Sequence, residues 1–220
     1  MKIIPAEAVL FDLDGVLVDS LALIERILRA WAVSRGLDAD RAVALSHGRR
    51  DLDLVTLLAP HLDAVAETRR IVAAEEADLT GLRAVPGAAG LLAALPAHRW
   101  AVVTSGTRLV ATGRLRAVGL PLPTVLFAAE DTRNGKPDPE GYLAAAAALG
   151  VPPERCVVVE DAPAGLTAAR GAGMARIGLG AAVRAQRAEL DAWVPDLRPV
   201  HATVTAAGVT LSVQPPGPGD

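Results

Sequence analysis

The sequence predicts an α/β fold: a parallel sheet covered by helices on both faces, with a small all-helical segment inserted after the first strand. Short apolar runs alternate with helical patterns over most of the chain, which is the signature of βαβ units. Between residues 19 and 84 that alternation gives way to helical spacing alone. Four polar clusters each follow an apolar run, at the place where open α/β sheets bind ligands.

The elements follow in order. Ala8 to Phe11 is a short apolar run ending at Asp12, read as a buried parallel strand. Leu21, Ile24, Ile27, Leu28 and Trp31 recur at helical spacing, and Gly36 can stop that helix. Asp51 to Leu58 and Asp63 to Leu79 are further helical stretches, and no strand is predicted within this segment. Pro86-Gly87 opens a helix ending near Leu95, and Trp100 to Val103 is the next strand. Val110 to Val118 is helical, Val125 to Ala128 a strand, and Glu140 to Leu149 helical. Cys156 to Val159 is a strand, Ala164 to Arg170 a helix and Met174 to Ile177 a strand. Thr203 to Val213 alternates around Ala206-Ala207-Gly208 and reads as an edge hairpin. Pro215 to Asp220 reads as a loose tail.

Composition narrows the function classes. The 220 residues suffice for one large domain with an insert or for two modest domains. Net charge is −3 with no Lys/Arg block, so the footprint of a nucleic-acid binder is missing. No run of 18 apolar residues occurs, so no membrane partner is expected. The N-terminal stretch is too short and too acidic for a signal peptide. The single cysteine, Cys156, fits a cytoplasmic location and reads as a buried strand residue.

The four clusters are Asp12-Leu-Asp14-Gly15, Thr104-Ser105-Gly106, Gly135-Lys136-Pro137 and Glu160-Asp161. Asp12 and Asp14, two apart on an extended segment, start on the same side. Together with Glu160 and Asp161 they would repel one another and any phosphate, so a cation is needed. Hard oxygen ligands and few histidines indicate Mg²⁺ rather than zinc. Lys136 adds positive charge, and the Thr104 hydroxyl with nearby N–H groups can donate to phosphate oxygens. A carboxylate can attack phosphorus to give an acyl phosphate. Asp14 is placed to protonate the departing alkoxide and then to deprotonate the attacking water.

Phe11-Asp12-Leu13-Asp14-Gly15-Val16-Leu17-Val18-Asp19-Ser20 resembles the first motif of the haloacid dehalogenase superfamily. Val103 to Gly106 resembles its second motif, Gly135 to Pro139 its third and Val159 to Gly165 its fourth. The match spans about Ala8 to Gly178, and the insert resembles the helical cap of the β-phosphoglucomutase-like subfamily. The resemblance implies a Rossmann-like core over residues 1–15 and 85–220 and a cap over 16–84. It implies that Asp12 is nucleophile and metal ligand, and that Asp14 is acid/base and lends the metal its backbone carbonyl. Thr104 and Lys136 would hold phosphate, with Ser105 and Gly106 beside them, and Asp161 with Glu160 would complete the Mg²⁺ site. Thr104 to Thr107, Gly135 to Tyr142 and the cap's His47-Gly48-Arg49 look most like the sugar and polyol phosphate phosphatases.

Other readings stay open at this stage. A mutase would use the same nucleophile but needs a second phosphate grip in the cap, for which Arg49 or Arg50 could serve. His47 and Arg49 could sit on a surface turn around Gly48, and Arg50 could pair with Asp51 on the surface. The remaining histidines show no metal spacing, and Trp31, Trp100 and Trp193 read as core residues. The expected partner is a small phosphorylated metabolite, and the expected state is a monomer or weak homodimer.

Overall fold

A computed structural model describes residues 1–205 and 208–214. Its main sheet has six strands: β2 (Ala8–Phe11), β5 (Trp100–Val103), β6 (Leu126–Phe127), β7 (Cys156–Glu160), β8 (Ala175–Leu179) and β9 (Ala192–Val194). They lie in the order β6-β5-β2-β7-β8-β9, and every pairing is parallel.

Strands that are apolar on both faces need cover on both, and the packing shows why these runs do not alternate with polar residues. From β2, β5 and β7, Val9, Phe11, Trp100, Val102, Val157 and Val159 enter one apolar cluster. Their neighbours Ala8, Leu10, Ala101, Val103, Cys156 and Val158 enter a second on the opposite face. Helices α5 (Ala88–Ala93) and α6 (Arg108–Ala117) cover the first face. Helices α7 (Glu140–Leu149) and α8 (Pro163–Gly171) cover the second.

Cys156 is 1% exposed. Burial, with Glu7 and Glu154 nearby, pushes its thiol up to about 12. The thiolate is the reactive species, so Cys156 should be inert at neutral pH in the folded protein. A thiol-reactive dye should label one cysteine in denaturant and none without it; prompt labelling of the native chain would refute this.

The segment between the Asp12 strand and β5 carries α1 (Leu21–Ser34), α2 (Ala39–Ser46), α3 (Asp51–Leu58) and α4 (Ala64–Ala77). They share an apolar cluster of their own, including Leu23, Leu28, Trp31, Leu54 and Ile71. Asp38 and Asp63 cap α2 and α4 by accepting from first-turn N–H groups. Two short strands frame the segment, β3 (Val18–Asp19) and β4 (Arg83–Ala84), paired antiparallel. The sequence reading expected no strand here and did not single out α2; a two-residue ladder leaves no periodicity to detect.

The Asp12 strand is also not the first in the chain. β1 (Lys2–Ala6) precedes it and pairs with β11 (Gly208–Val213), which pairs with β10 (Val200–Thr205). The expected hairpin therefore forms, but in a separate three-stranded antiparallel sheet rather than at the main sheet's edge. Pro5 is tolerated because β1 is the outer strand of that sheet. The expected turn residues Ala206 and Ala207 and the expected tail at residues 215–220 lie outside the described residues. Among the described residues no helix is long and apolar enough to cross a membrane.

Candidate active site

Chain direction places the site. After β2 the chain builds β5 and β6 to one side; after β6 it returns to build β7, β8 and β9 on the other. Such a switch point opens a crevice at the carboxyl ends of the central strands. Asp12 follows β2, Thr104 follows β5, and Glu160 ends β7. Lys136 comes from the loop after β6, and its peptide to Pro137 is cis.

The centre is a buried ionic group. Lys136 Nζ donates to Asp12 Oδ1 at 2.7 Å and to Glu160 Oε1 at 2.5 Å. Tyr142 Oη donates to the same Glu160 oxygen at 3.0 Å, and the Ala162 amide donates to Glu160 Oε2 at 2.9 Å. Asp12 is pinned by its own amide, which donates to the Val159 carbonyl oxygen at 3.0 Å. Carboxylate oxygens of Asp12, Glu160 and Asp161 all lie within 4.8 Å of one another.

Electrostatics say what this group lacks. Burial pushes the Asp12 carboxyl up to about 7; Glu160 and Asp14 add to the rise and Lys136 opposes it. Burial, Glu160 and Asp12 also push Asp161 well up. Burial disfavours the Lys136 charge, yet Asp12 and Glu160 outweigh it and hold the ammonium well above its ordinary value. Three carboxylates face one ammonium, so a divalent cation would bring the group to neutrality. The donors are all hard oxygens, which suits Mg²⁺. Asp12, Glu160 and Asp161 are the residues that could hold it.

Two glycines make room. A Cβ on Gly15 would fall 2.0 Å from Asp161 Oδ2, and Gly15 also has φ +78°. A Cβ on Gly165 would fall 1.6 Å from Glu160 Oε1. Gly165→Ala should therefore displace Glu160 and cost about 1–3 kcal/mol. Urea unfolding checks this; a parent-like midpoint would show that α8 yields instead.

Asp14 lies beyond the strand, in an isolated bridge with Val18, and its carboxylate is not in the Asp12–Glu160–Asp161 group. Ser20 Oγ donates to Asp14 Oδ1 at 2.5 Å and Arg114 Nη1 to the same oxygen at 2.7 Å. Arg114 Nη2 donates to Glu75 at 2.8 Å.

Thr104 is buried, and the Gly106 amide donates to its hydroxyl at 3.1 Å. Ser105 Oγ donates to the Gly48 carbonyl oxygen at 2.9 Å, which ties the second cluster to the helical segment. Gly48 also packs against the sheet side: a Cβ there would lie 2.9 Å from Ala162 Cβ. His47, Gly48 and Arg49 line one cavity of ≈ 140 Å³ together with Asp12, Asp14, Thr104, Ser105, Gly106 and Asp161. Lys136 lines an adjoining pocket together with Thr104, Ser105 and Tyr142.

Sequence reasoning missed several of the residues here. Arg50 pairs with Asp53 rather than Asp51, at 2.7 Å, and donates to the Thr132 carbonyl oxygen at 3.0 Å. Asp51 instead lines the cavity with Glu75 and Arg114. The signal for Arg114 and Glu75 was a charge inside a buried helical stripe. Arg114 sits among Val110, Ala111 and Leu115, and Glu75 follows Glu67 and Ile71.

A family model described as haloacid dehalogenase-like hydrolase matches residues 6–173. The chain is 43% identical over 169 residues to hexitol phosphatase A of Escherichia coli (strain K12), covering 74% of this chain and 78% of that protein. It is 37% identical over 185 residues to glycerol-1-phosphate phosphohydrolase 2 of Saccharomyces cerevisiae, covering 78% and 74%. Its fold is similar to that of CbbY from Rhodobacter sphaeroides, solved in complex with phosphate, with a TM-score of 0.70 and 27% identity. That match covers 87% of this chain and 95% of CbbY. The matched residues include Asp12, Thr104, Lys136, Glu160 and Asp161, and the chain belongs to the haloacid dehalogenase-like hydrolases.

Proposed function

We propose that this protein is a Mg²⁺-dependent phosphatase that hydrolyses a small sugar or polyol phosphate through a phospho-aspartyl intermediate on Asp12. One observation carries the reading: Asp12, Lys136, Thr104 and the Glu160–Asp161 pair converge at the carboxyl ends of adjacent parallel strands. The names of the similar proteins support the substrate class.

In this reading Asp12 attacks phosphorus while Lys136, the Thr104 hydroxyl and the Ser105–Gly106 main chain hold the phosphoryl oxygens. The P–O bond to the alcohol breaks, and Asp14 gives its proton to the departing oxygen. Asp14 then takes a proton from water as that water attacks the phospho-aspartate, which restores Asp12 and releases phosphate. Mg²⁺, held by Asp12, Glu160, Asp161 and the Asp14 main-chain carbonyl, would neutralise charge on the carboxylates and the phosphoryl group. Residues 16–84 act as a cap that closes over the crevice, with His47, Gly48 and Arg49 facing the alcohol.

The wall charge bears on the mutase alternative. That reaction needs a cationic grip on a second phosphate, but Arg50 is taken by Asp53 and Thr132. Glu25, Asp51 and Glu75 of the helical segment line the same cavity, beside Arg49 and Arg114, and Arg114 is committed to Glu75 and Asp14. This balance favours a neutral, hydroxyl-bearing leaving group over a second anion.

The test is phosphate release from a panel of polyol, sugar and nucleotide monophosphates, with Mg²⁺ and with a chelator. Release from polyol or sugar phosphates that stops with the chelator is expected. Metal-independent release, or conversion of β-glucose-1-phosphate to glucose-6-phosphate without free phosphate, would overturn the reading.

A further inference from the structure

Arg114 is 1% exposed and sits in the apolar stripe of α6, between Ala111 and Leu115. A buried charge at such a position is costly, and an apolar residue of similar volume would often stabilise the fold as well or better. Its partners show what the charge does. One arm of the guanidinium reaches Asp14, 100 residues away in sequence, and the other reaches Glu75 of α4, 39 residues away. The planar fork holds both carboxylates in one fixed geometry, which a lysine could not do. Nε has no partner, so the side chain is committed through its two terminal nitrogens.

The contacts on Asp14 are one-sided. Arg114 and Ser20 both donate to Oδ1. Oδ2 is directed toward the second cluster, 4.0 Å from where a Cβ on Gly106 would sit. One oxygen is clamped from behind while the other is presented to the cavity.

We propose that Arg114 is a positioning residue: it aims Asp14 at the leaving alcohol, and Glu75 of the helical segment anchors the far end of the same guanidinium. This rests on the reading of Asp14 as the acid for alcohol departure. It also links docking of α4 to the sheet side with the orientation of that acid.

The experiment compares two leaving groups. An alkoxide leaves with the acid's help, whereas p-nitrophenolate is a stable anion and needs none. The quantity is kcat/KM, which stops at departure of the alcohol and so excludes the later hydrolysis. Arg114→Met should lower kcat/KM for glycerol 1-phosphate about 30-fold or more, and for p-nitrophenyl phosphate less than about threefold. In an Asp14→Asn background the same change should cause no further loss with glycerol 1-phosphate.

Parallel losses with both substrates, no loss with either, or a full additional loss in the Asp14→Asn background would each overturn the proposal. If Arg114→Met does not fold, Glu75→Gln decides. It keeps the shape and an acceptor, and should give a split of the same sign, about three- to tenfold; no split overturns the proposal. Failure of the unaltered chain to release phosphate from either substrate would instead refute the phosphatase reading itself.

Discussion

Asp12→Asn is expected to abolish turnover of every phosphomonoester tested, by at least about 10⁴-fold in kcat, while leaving the fold intact. The amide is nearly isosteric with the carboxylate and can still accept from Lys136 Nζ, now 2.7 Å from Oδ1. It cannot form the acyl phosphate, so the loss is chemical. Stability should not fall with it. Burial raises the Asp12 carboxyl to about 7 in the folded protein, against 3.8 for an ordinary aspartate. A raised acid binds its proton more tightly when folded, so its contribution to stability is present at low pH and is lost as pH rises through that window. The neutral amide avoids the loss. The metal-free variant should therefore melt at or above the parent at neutral pH, measured by thermal unfolding with chelator present. Residual turnover near the parent's would sink the nucleophile assignment.

Lys136→Met should damage both function and stability. The ammonium touches Asp12 and Glu160, whose side chains are 8% and 0% exposed. Removing the cation leaves two buried carboxylates facing each other, which by analogy with other buried pairs costs about 3–5 kcal/mol. It also removes a preorganised donor, worth about 10²–10³ in kcat. The two losses separate under added Mg²⁺. The metal binds the folded carboxylates and not the unfolded chain, so millimolar Mg²⁺ should recover part of the melting temperature but not the rate. A variant as stable as the parent in chelator would show that the ion pair is not what holds these carboxylates together.

Much of this was legible beforehand because it is written in local patterns. Apolar runs such as Ala8–Phe11 and Cys156–Val159 are buried on both faces, so their hydrophobicity alone marks them. The residues brought to the strand ends are those that followed each run in the sequence, because chain order and strand direction place them there. What escaped was short, irregular or paired at a distance. β3 and β4 have two residues each, and β9 has three. β1 was missed because its partner is β11, at the far end of the chain. The sequence left Arg50 open between a pair with Asp51, its neighbour, and a grip on phosphate, but one turn of helix brings Asp53 to it instead.

By itself the sequence determined the class of fold, the placing of polar clusters directly after apolar strands and the acidic, cation-demanding character of the crevice. These follow from residue type and from spacings of a few positions. Only the tertiary structure decided that one oxygen of Asp14 is held by Ser20 and Arg114, and that Glu75 of α4 closes the same bridge. The physical reason is range. Periodicity reports which face of an element is buried, but the partner of a buried charge is chosen by packing between elements far apart in the chain.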